Sequence, residues 1–297
     1  MSLRSTPIEA AGRGPVGRVS KATICVLSVL AMVAFAGNSL LCRIALKETS
    51  IDAATFTTLR LTSGTAVLLL FARCRASGAV VQGDWMGALV LVTYAFAFSF
   101  AYEKLTAGTG ALLLFGGAQA AMIGYGVWIG ERFRGPQVLG IVIAIAGLVA
   151  LLLPGLAAPP YGAAILMIGS GLAWGTYSLL GRSRGDPIAT NAGYFIRALP
   201  IAVVVSLAWS DYFSIDTIGA LCAAASGAVT SGVGYIIWYT VVREITATSA
   251  STMQLSVPAI TAIAGGVLLA EPLSLRLIVS SIATLGGIGL FLFSMRR

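Results

Sequence analysis

The sequence contains no histidine, and only 10% of its residues carry a charged side chain. Without histidine, the chain lacks the commonest metal ligand and the usual general base of serine hydrolases. Its four cysteines, Cys25, Cys42, Cys74 and Cys222, form no C-x-x-C pair, so we expect neither a disulfide framework nor a zinc site. No P-loop of the form G-x-x-x-x-G-K-[ST] is present. The sequence therefore predicts a protein that is not an enzyme and that uses no metal or cofactor.

Apolar side chains are abundant instead. Hydrophobic residues make up 58% of the chain, and the mean hydropathy is +0.93, whereas soluble domains contain about 45–50% apolar residues. Apolar runs of about 20 residues, long enough to cross a bilayer as a helix, recur along the sequence. These runs are continuous rather than alternating, which favours helices over the strands of a barrel. We therefore predict an all-α membrane protein that is embedded in a lipid bilayer.

Charged, glycine and proline residues divide the apolar sequence into ten predicted spans. Their expected bounds are 22–46, 54–73, 85–102, 106–130, 136–153, 161–181, 189–209, 216–241, 246–270 and 274–294. Residues 1–21 form a basic N-terminal tail without an apolar core, so we expect no cleaved signal. Two five-span halves, 22–153 and 161–294, are joined by a connection at residues 154–160 that contains three prolines.

Basic residues are distributed unevenly between alternate loops. They concentrate at both termini and after spans 2, 4, 6 and 8, whereas the opposite side has only Arg43, Lys47, Lys104 and Arg276. The positive-inside rule places the basic side, with both termini, in the cytoplasm of a bacterial cell and the 154–160 connection in the periplasm. The net charge of +8 is thus a topology signal. We expect no nucleic-acid partner, because no soluble domain presents a basic face.

The second half repeats features of the first at an offset of 140 positions. The aligned pairs are Thr106 with Thr246, Ala107 with Ala247, Gly126 with Gly266, Val127 with Val267, Glu131 with Glu271 and Gly147 with Gly287. With small shifts, Ser39-Leu-Leu-Cys-Arg43 matches Ser178-Leu-Leu-Gly-Arg182, and Arg60 matches Arg197. Because each half holds an odd number of spans, the second half must enter the membrane from the opposite side. Two inverted five-helix repeats are a recurring architecture of secondary transporters.

The second half also carries the motifs of a known family. They are Thr246-Ala-Thr-Ser-Ala-Ser251, Val257-Pro258, Leu269-Ala-Glu271 and the glycine-rich Leu285-Gly-Gly-Ile-Gly289. This pattern resembles the EamA domain of the drug/metabolite transporter superfamily, and the resemblance covers about residues 22–294. The first half departs from the pattern, with Ala118-Gln119 where the second has Pro258-Ala259. The resemblance implies an exporter of small solutes. The abundance of aromatic residues is similar to the aromatic amino-acid exporter branch, which implies aromatic or other apolar amino acids, or related metabolites, as substrates.

Polar and aromatic residues deep within the spans are the candidate substrate-binding residues. We predict that a central cavity, open to one side at a time, is lined by Asn38, Tyr94, Phe98, Trp174, Tyr177, Tyr235, Trp238 and Gln254. Such rings would hold an apolar or aromatic solute. Two other interpretations remain open at this point. The amides could join helices to one another, and the rings could face lipid or belong to an interfacial belt.

Two arginines, Arg60 and Arg197, lie within predicted spans 2 and 7. Each needs a partner or water in the membrane. Because the two are repeat mates, a structural role in each half is favoured, and binding of a substrate carboxylate is the alternative.

None of the 11 acidic residues lies at a predicted midplane position. A relay of buried carboxylates, as proton-coupled transporters use, is therefore not expected, and the sequence favours uniport driven by the solute's own gradient. Three alternatives compete with this hypothesis. Glu103 or Glu131 could be drawn into the cavity, the protein could export another metabolite or a drug with coupling to an ion gradient, or it could be a membrane assembly protein without transport. The oligomeric state is not predicted.

Overall fold

The computed structural model describes residues 20–74, 81–130, 132–155, 158–182, 186–245 and 247–294. Within these ranges there is no strand, and ten helices are long and apolar enough to cross a membrane. We number these spans 1 to 10 in chain order. Spans 1 to 5 are Lys21–Glu48, Ala53–Cys74, Trp85–Tyr102, Ala107–Trp128 and Gly135–Leu152. Spans 6, 7 and 10 are Tyr161–Arg182, Pro187–Ala208 and Leu275–Ser294.

Spans 8 and 9 are each built from more than one helical segment. Span 8 comprises Thr217–Ala225, a π-helical stretch Ser226–Val233, and Gly234–Glu244. Span 9 comprises Ala247–Gln254 and Ser256–Leu269. Pro258 has no N–H to donate to the carbonyl of Gln254, which explains the interruption at this point. By contrast, span 7 continues through Pro200 without a break.

The observed span ends agree with the predicted bounds to within a few residues. Side-chain caps account for several of the starts. The side chains of Ser20, Asp84, Thr106 and Asp216 accept hydrogen bonds from backbone N–H groups in the first turns of spans 1, 3, 4 and 8. These caps satisfy backbone N–H groups of the first turn that have no partner within the helix.

Packing between the spans follows a pseudo-two-fold symmetry that exchanges span 1 with 6, 2 with 7, 3 with 8, 4 with 9 and 5 with 10. Spans 5 and 10 pack together, as do spans 2 and 7. The contact between spans 4 and 6 is matched by the contact between spans 9 and 1. The contact between spans 3 and 6 is matched in the same way by the contact between spans 8 and 1. Span 2 with span 8 is likewise matched by span 7 with span 3. The prediction of two inverted five-helix repeats is confirmed.

Glycines bring the backbones of spans 5 and 10 into direct contact. A Cβ atom built on Gly140 would lie 2.6 Å from the carbonyl oxygen of Gly287, a separation that side chains do not tolerate. Close approach at small residues is a principal source of helix association in membranes, where lipid removes the hydrophobic driving force. This pair of spans thus packs backbone against backbone where the two halves meet, away from the aromatic residues of the bundle centre.

Candidate functional site

Aromatic side chains from four spans meet at the centre of the bundle. The ring of Trp174 lies 5.1 Å from that of Tyr94, 5.3 Å from Tyr235 and 5.8 Å from Tyr177, measured between centroids. These side chains are at most 5% exposed. They come from spans 3, 6 and 8, so contacts between the two halves assemble the group. Rings at these distances stabilise one another beyond the burial of their surfaces.

Phe35 of span 1 completes this aromatic cluster, and sequence reasoning missed it. Its ring lies 5.8 Å from Trp174, 6.3 Å from Tyr235 and 5.6 Å from Trp238. Phe35 precedes Asn38 by three residues, so both occupy one face of span 1. That spacing was a signal that could have identified Phe35.

Asn38 is held by hydrogen bonds to two other spans. Its Nδ2 donates to the hydroxyl of Tyr94 at 3.3 Å, and its Oδ1 accepts from Ser226 at 2.8 Å and from Thr230 at 3.3 Å. Both hydroxyl donors belong to the π-helical stretch of span 8. In this conformation Asn38 therefore joins helices, which was one of the two interpretations of the buried amides.

Arg60 lies against the aromatic cluster and is 2% exposed. Its Nε donates to the hydroxyl of Ser231 at 3.2 Å, and its Nη2 donates to the hydroxyl of Tyr94 at 3.0 Å. The guanidinium carbon lies 5.3 Å from the centroid of Tyr94 and 5.2 Å from that of Phe98, within the range of cation–π attraction. Its repeat mate Arg197 is only half-buried and donates to the carbonyl of Gly193 in its own helix at 3.0 Å. The two arginines therefore have different environments.

A cavity of about 10 Å³ lies among these residues. Asn38, Tyr94, Trp174 and Tyr235 line it, together with Phe35. This volume is enough for about one water molecule, whereas small-molecule sites have volumes of about 300–1,000 Å³. The centre of the bundle is therefore contracted in this conformation.

A crevice of about 40 Å³ lies on one side of the cavity. Trp238 and Gln254 line it with Ser178, Tyr239 and Ser251. We call this side of the bundle the Ser178 end. The edge-to-face ring pair of Phe35 and Trp238 stands between the crevice and the central cavity, since Phe35 contributes to the cavity wall.

The eight residues predicted from the sequence thus occupy four places. Asn38, Tyr94, Trp174 and Tyr235 line the central cavity, and Trp238 and Gln254 line the crevice. Phe98 packs under Arg60, and Tyr177 donates a hydrogen bond to the side chain of Asn191. All eight are buried within the protein, whereas the tryptophans near span ends, Trp85, Trp128 and Trp209, are 57%, 82% and 42% exposed.

A buried ion pair lies at the opposite end of the bundle. The Nε of Arg43 is 2.9 Å from Oε1 of Glu271, and Oε2 of Glu271 accepts from the backbone N–H of Ala107 at 2.7 Å. Arg43 Nη1 also donates to the carbonyls of Tyr102 at 2.7 Å and Glu103 at 3.1 Å. These bonds connect span 1, the turn between spans 3 and 4, and the end of span 9. We call this the Arg43 end.

The loops of the two halves are also joined at the Arg43 end. The backbone N–H of Ser50 donates to Asp216 at 2.9 Å, and the backbone N–H of Ser214 donates to Asp52 at 3.1 Å. Backbone N–H groups, that of Gly219 first, hold the pKa of the Asp216 carboxyl below its usual value. The loop after span 1 is thereby tied to the loop before span 8.

Acidic residues within the described ranges all lie at or beyond span ends, as predicted. Glu103 follows the last residue of span 3, and its side chain is exposed rather than turned into the cavity. Glu131 lies outside the described residues. The described part of the protein contains no group of three or more His, Cys, Asp or Glu side chains that could hold a metal ion.

Comparisons with known proteins agree with this architecture. A crystal structure of a protein with 16% sequence identity superposes with a TM-score of 0.68 over 94% of this chain and 99% of that chain, which shows a shared fold. An uncharacterized protein of Pseudomonas aeruginosa is 51% identical over 267 residues, 90% of this chain and 93% of the relative. An uncharacterized transporter of Archaeoglobus fulgidus is 26% identical over 278 residues, 88% of this chain and 94% of the relative.

The names of these relatives specify no substrate, so the similarity to the aromatic amino-acid exporter branch stays a prediction. The family itself is shown by both halves. The model of the EamA-like transporter family matches residues 22–153 and again residues 162–293. With its ten spans and inverted repeats, this chain belongs to the EamA-like transporter family.

Proposed function

We propose that this protein exports small solutes with apolar or aromatic bodies, such as amino acids or related metabolites, across a bacterial inner membrane. The observation that carries the proposal is the difference between the two ends of a bundle whose halves pack alike. At the Arg43 end a buried ion pair and loop contacts join the spans, and the cavity of about 210 Å³ beside Lys104 and Pro272 has no residue of the aromatic cluster in its wall. The crevice at the Ser178 end, by contrast, is lined by Trp238 and so reaches the cluster. An alternating-access carrier has such unlike ends whenever its site is open to one side of the membrane.

The contracted cavity supports a mechanism in which the spans move. A volume of about 10 Å³ cannot hold an amino acid, so a solute must separate the rings that meet there. The irregular stretches of spans 8 and 9 lie beside the cavity and the crevice and provide places where a helix can bend. The hydroxyls of Ser226 and Thr230 would then exchange their bonds to Asn38 for bonds to the solute.

The distribution of basic residues supports an orientation of the two ends in the membrane. By the positive-inside rule, we infer that the termini and the Ser178 end lie in the cytoplasm and the Arg43 end in the periplasm. The described conformation would then face the cytoplasm, ready to receive a solute for export.

The placement of the acidic residues supports uniport. The described carboxylates lie at span ends, and the carboxylate of Glu271 is engaged with Arg43. A proton-coupled cycle needs a group that binds a proton within the membrane in one state and releases it in another. The solute's own gradient is then the source of free energy.

Counterflow in proteoliposomes tests the transport proposal. A panel of radiolabelled amino acids and related metabolites should include solutes that exchange, and the Trp238→Ala variant should exchange them roughly tenfold more slowly, the effect of losing about 1.4 kcal/mol of binding. Removal of the indole takes away one wall of the crevice and the ring partner of Phe35. The control is Trp128→Ala, because Trp128 is 82% exposed at a span end. The proposal fails if no solute exchanges, or if both variants exchange at the wild-type rate.

Labelling of a native thiol tests the closure of the Arg43 end. Cys42 is fully buried beside Arg43 and can serve as the reporter once Cys25, Cys74 and Cys222 are replaced by serine. Glu271→Gln should increase the rate at which an impermeant thiol reagent, added from outside, modifies Cys42. The reason is that breaking a buried ion pair leaves an uncompensated charge, which costs about 3–5 kcal/mol and destabilises the closed end.

The matched control for this experiment is Glu48→Gln. Glu48 lies at the same end, but its contact with Lys47 is exposed, so its loss should leave the labelling rate unchanged. An unchanged rate in the Glu271→Gln variant would contradict the assigned role of the ion pair.

A pH gradient tests uniport. With a solute that exchanges and carries no net charge, a gradient imposed across the proteoliposomes should cause no accumulation above equilibrium. The physical reason is the lack of a described acidic side chain at the midplane. Uphill accumulation that an uncoupler abolishes would show instead that the transporter is coupled to protons.

A further inference from the structure

Arg60 brings a permanent positive charge to the centre of the bundle. Its Nε and Nη2 atoms have hydroxyl partners, but Nη1 has no hydrogen-bond acceptor among the residues that the structure describes. A guanidinium buried in a membrane protein needs full hydrogen bonding and a compensating charge, and here both are incomplete.

No described acidic side chain supplies the compensating charge. The ion pairs within the described ranges are Arg43 with Glu271 and Lys47 with Glu48, both near the Arg43 end. The rings of Tyr94 and Phe98 attract the guanidinium and offset part of the cost. The rings do not accept a hydrogen bond from Nη1, however, so Nη1 still lacks an acceptor. The arrangement therefore suits a bound anion that is not part of the protein.

The repeat argument does not account for this burial. Arg197, the mate of Arg60 in the second half, is half-buried and reaches the carbonyl of Gly193 in its own helix. A structural role common to both halves would give the two arginines similar partners. The isolated, nearly complete burial of Arg60 therefore needs a reason of its own.

Tyr94 connects Arg60 to the cavity. Its hydroxyl accepts hydrogen bonds from Arg60 and from Asn38, and its side chain lines the cavity with Trp174 and Tyr235. Arg60 therefore lies directly behind the cavity wall. If the cavity expands to hold a solute, displacement of the Tyr94 hydroxyl exposes Nη1 and Nη2 to the solute's head group.

We propose that Arg60 binds the carboxylate of the transported solute, while the aromatic cluster holds its apolar body. A carboxylate is planar and accepts two parallel hydrogen bonds from a guanidinium, which matches the vacant Nη1 and its neighbour Nη2. The inference rests on the proposed function and deepens it, because it restricts the solutes to organic acids. Amino acids qualify through their carboxylate, and amines of the same shape do not.

Three solutes that share one apolar body test this proposal. They are 3-phenylpropanoate, its neutral amide and 3-phenylpropylamine, which carry negative, zero and positive charge. Binding to the purified full-length protein in detergent is measured from tryptophan emission and from the shift in melting temperature. The acid should bind at least about tenfold more tightly than the amide, as expected for a charge-assisted hydrogen bond, and the amine should not bind.

Variants then assign the preference to Arg60. Arg60→Gln should bind the acid and the amide with equal affinity. Arg60→Lys should retain part of the preference for the acid, since lysine keeps the positive charge but lacks the planar guanidinium that donates two parallel hydrogen bonds. Arg197→Gln is the matched control and should retain the full preference. If Arg60→Gln does not fold, the head-group preference of the wild-type protein and the partial loss in Arg60→Lys still decide the question.

Three results would overturn the proposal. They are equal binding of acid and amide by the wild-type protein, no binding of the acid, and a preference that survives Arg60→Gln. Each of these leaves the transport proposal standing as long as neutral or basic solutes show counterflow in proteoliposomes. Absence of counterflow for solutes of every charge would contradict the transport proposal itself.

Discussion

In the hydrocarbon of a bilayer, a polar group on a membrane span finds no water and must be satisfied within the protein. This constraint explains which residues meet inside the bundle. Arg43 and Glu271 neutralise each other and share their remaining bonds with backbone groups at one end. Asn38 uses both of its amide atoms in contacts with spans 3 and 8. Among these residues, only Arg60 keeps a fully buried nitrogen without an acceptor in the described structure, and for that reason we assign its missing partner to the solute.

In the proposed mechanism, the inverted repeat allows the same packing between spans to form two conformations. Because the contacts between spans are matched under exchange of the halves, a rearrangement that closes one end has a counterpart that closes the other. The chemistry of the two halves is nevertheless unequal. Arg60 and Arg197 have different surroundings, and the positions aligned by the repeat at Asn38 and Tyr177 hold an amide and a phenol. In the proposed mechanism, similar packing would allow two states of comparable energy, and the unequal side chains would give the site its preference for one solute.

Much of the fold could be predicted from the sequence, because the length of each apolar run and the charged residues between the runs determine where a span begins and ends. The repeat at an offset of 140 positions, together with the odd number of spans per half, predicted the inversion correctly. The depth of the aromatic residues predicted that Tyr94, Trp174 and Tyr235 would meet. Each of these predictions used only how far along a helix axis a residue lies.

The sequence could not predict the contacts between side chains of different spans in the same way. Those contacts depend on how each helix is rotated about its own axis and on which helices are its neighbours. Arg43 was assigned to the less basic side of the membrane and Glu271 follows predicted span 9, but nothing in the sequence joined these two residues, which are 228 positions apart. The π-helical stretch, which turns Ser226, Thr230 and Ser231 toward Asn38 and Arg60, has no recognised sequence signal. Phe35 was missed because phenylalanine in a span is unremarkable until its neighbours are known.

Distances between spin labels at the two ends test the central claim, alternation of access, most directly. One pair of labels replaces Glu48 and Leu273 at the Arg43 end, and a second pair replaces Trp128 and Thr240 at the Ser178 end, all at exposed positions. When a transported solute is added to the protein in liposomes, the first distance should lengthen in part of the population while the second shortens. Distances that stay unchanged, or that lengthen together at both ends, would contradict alternating access.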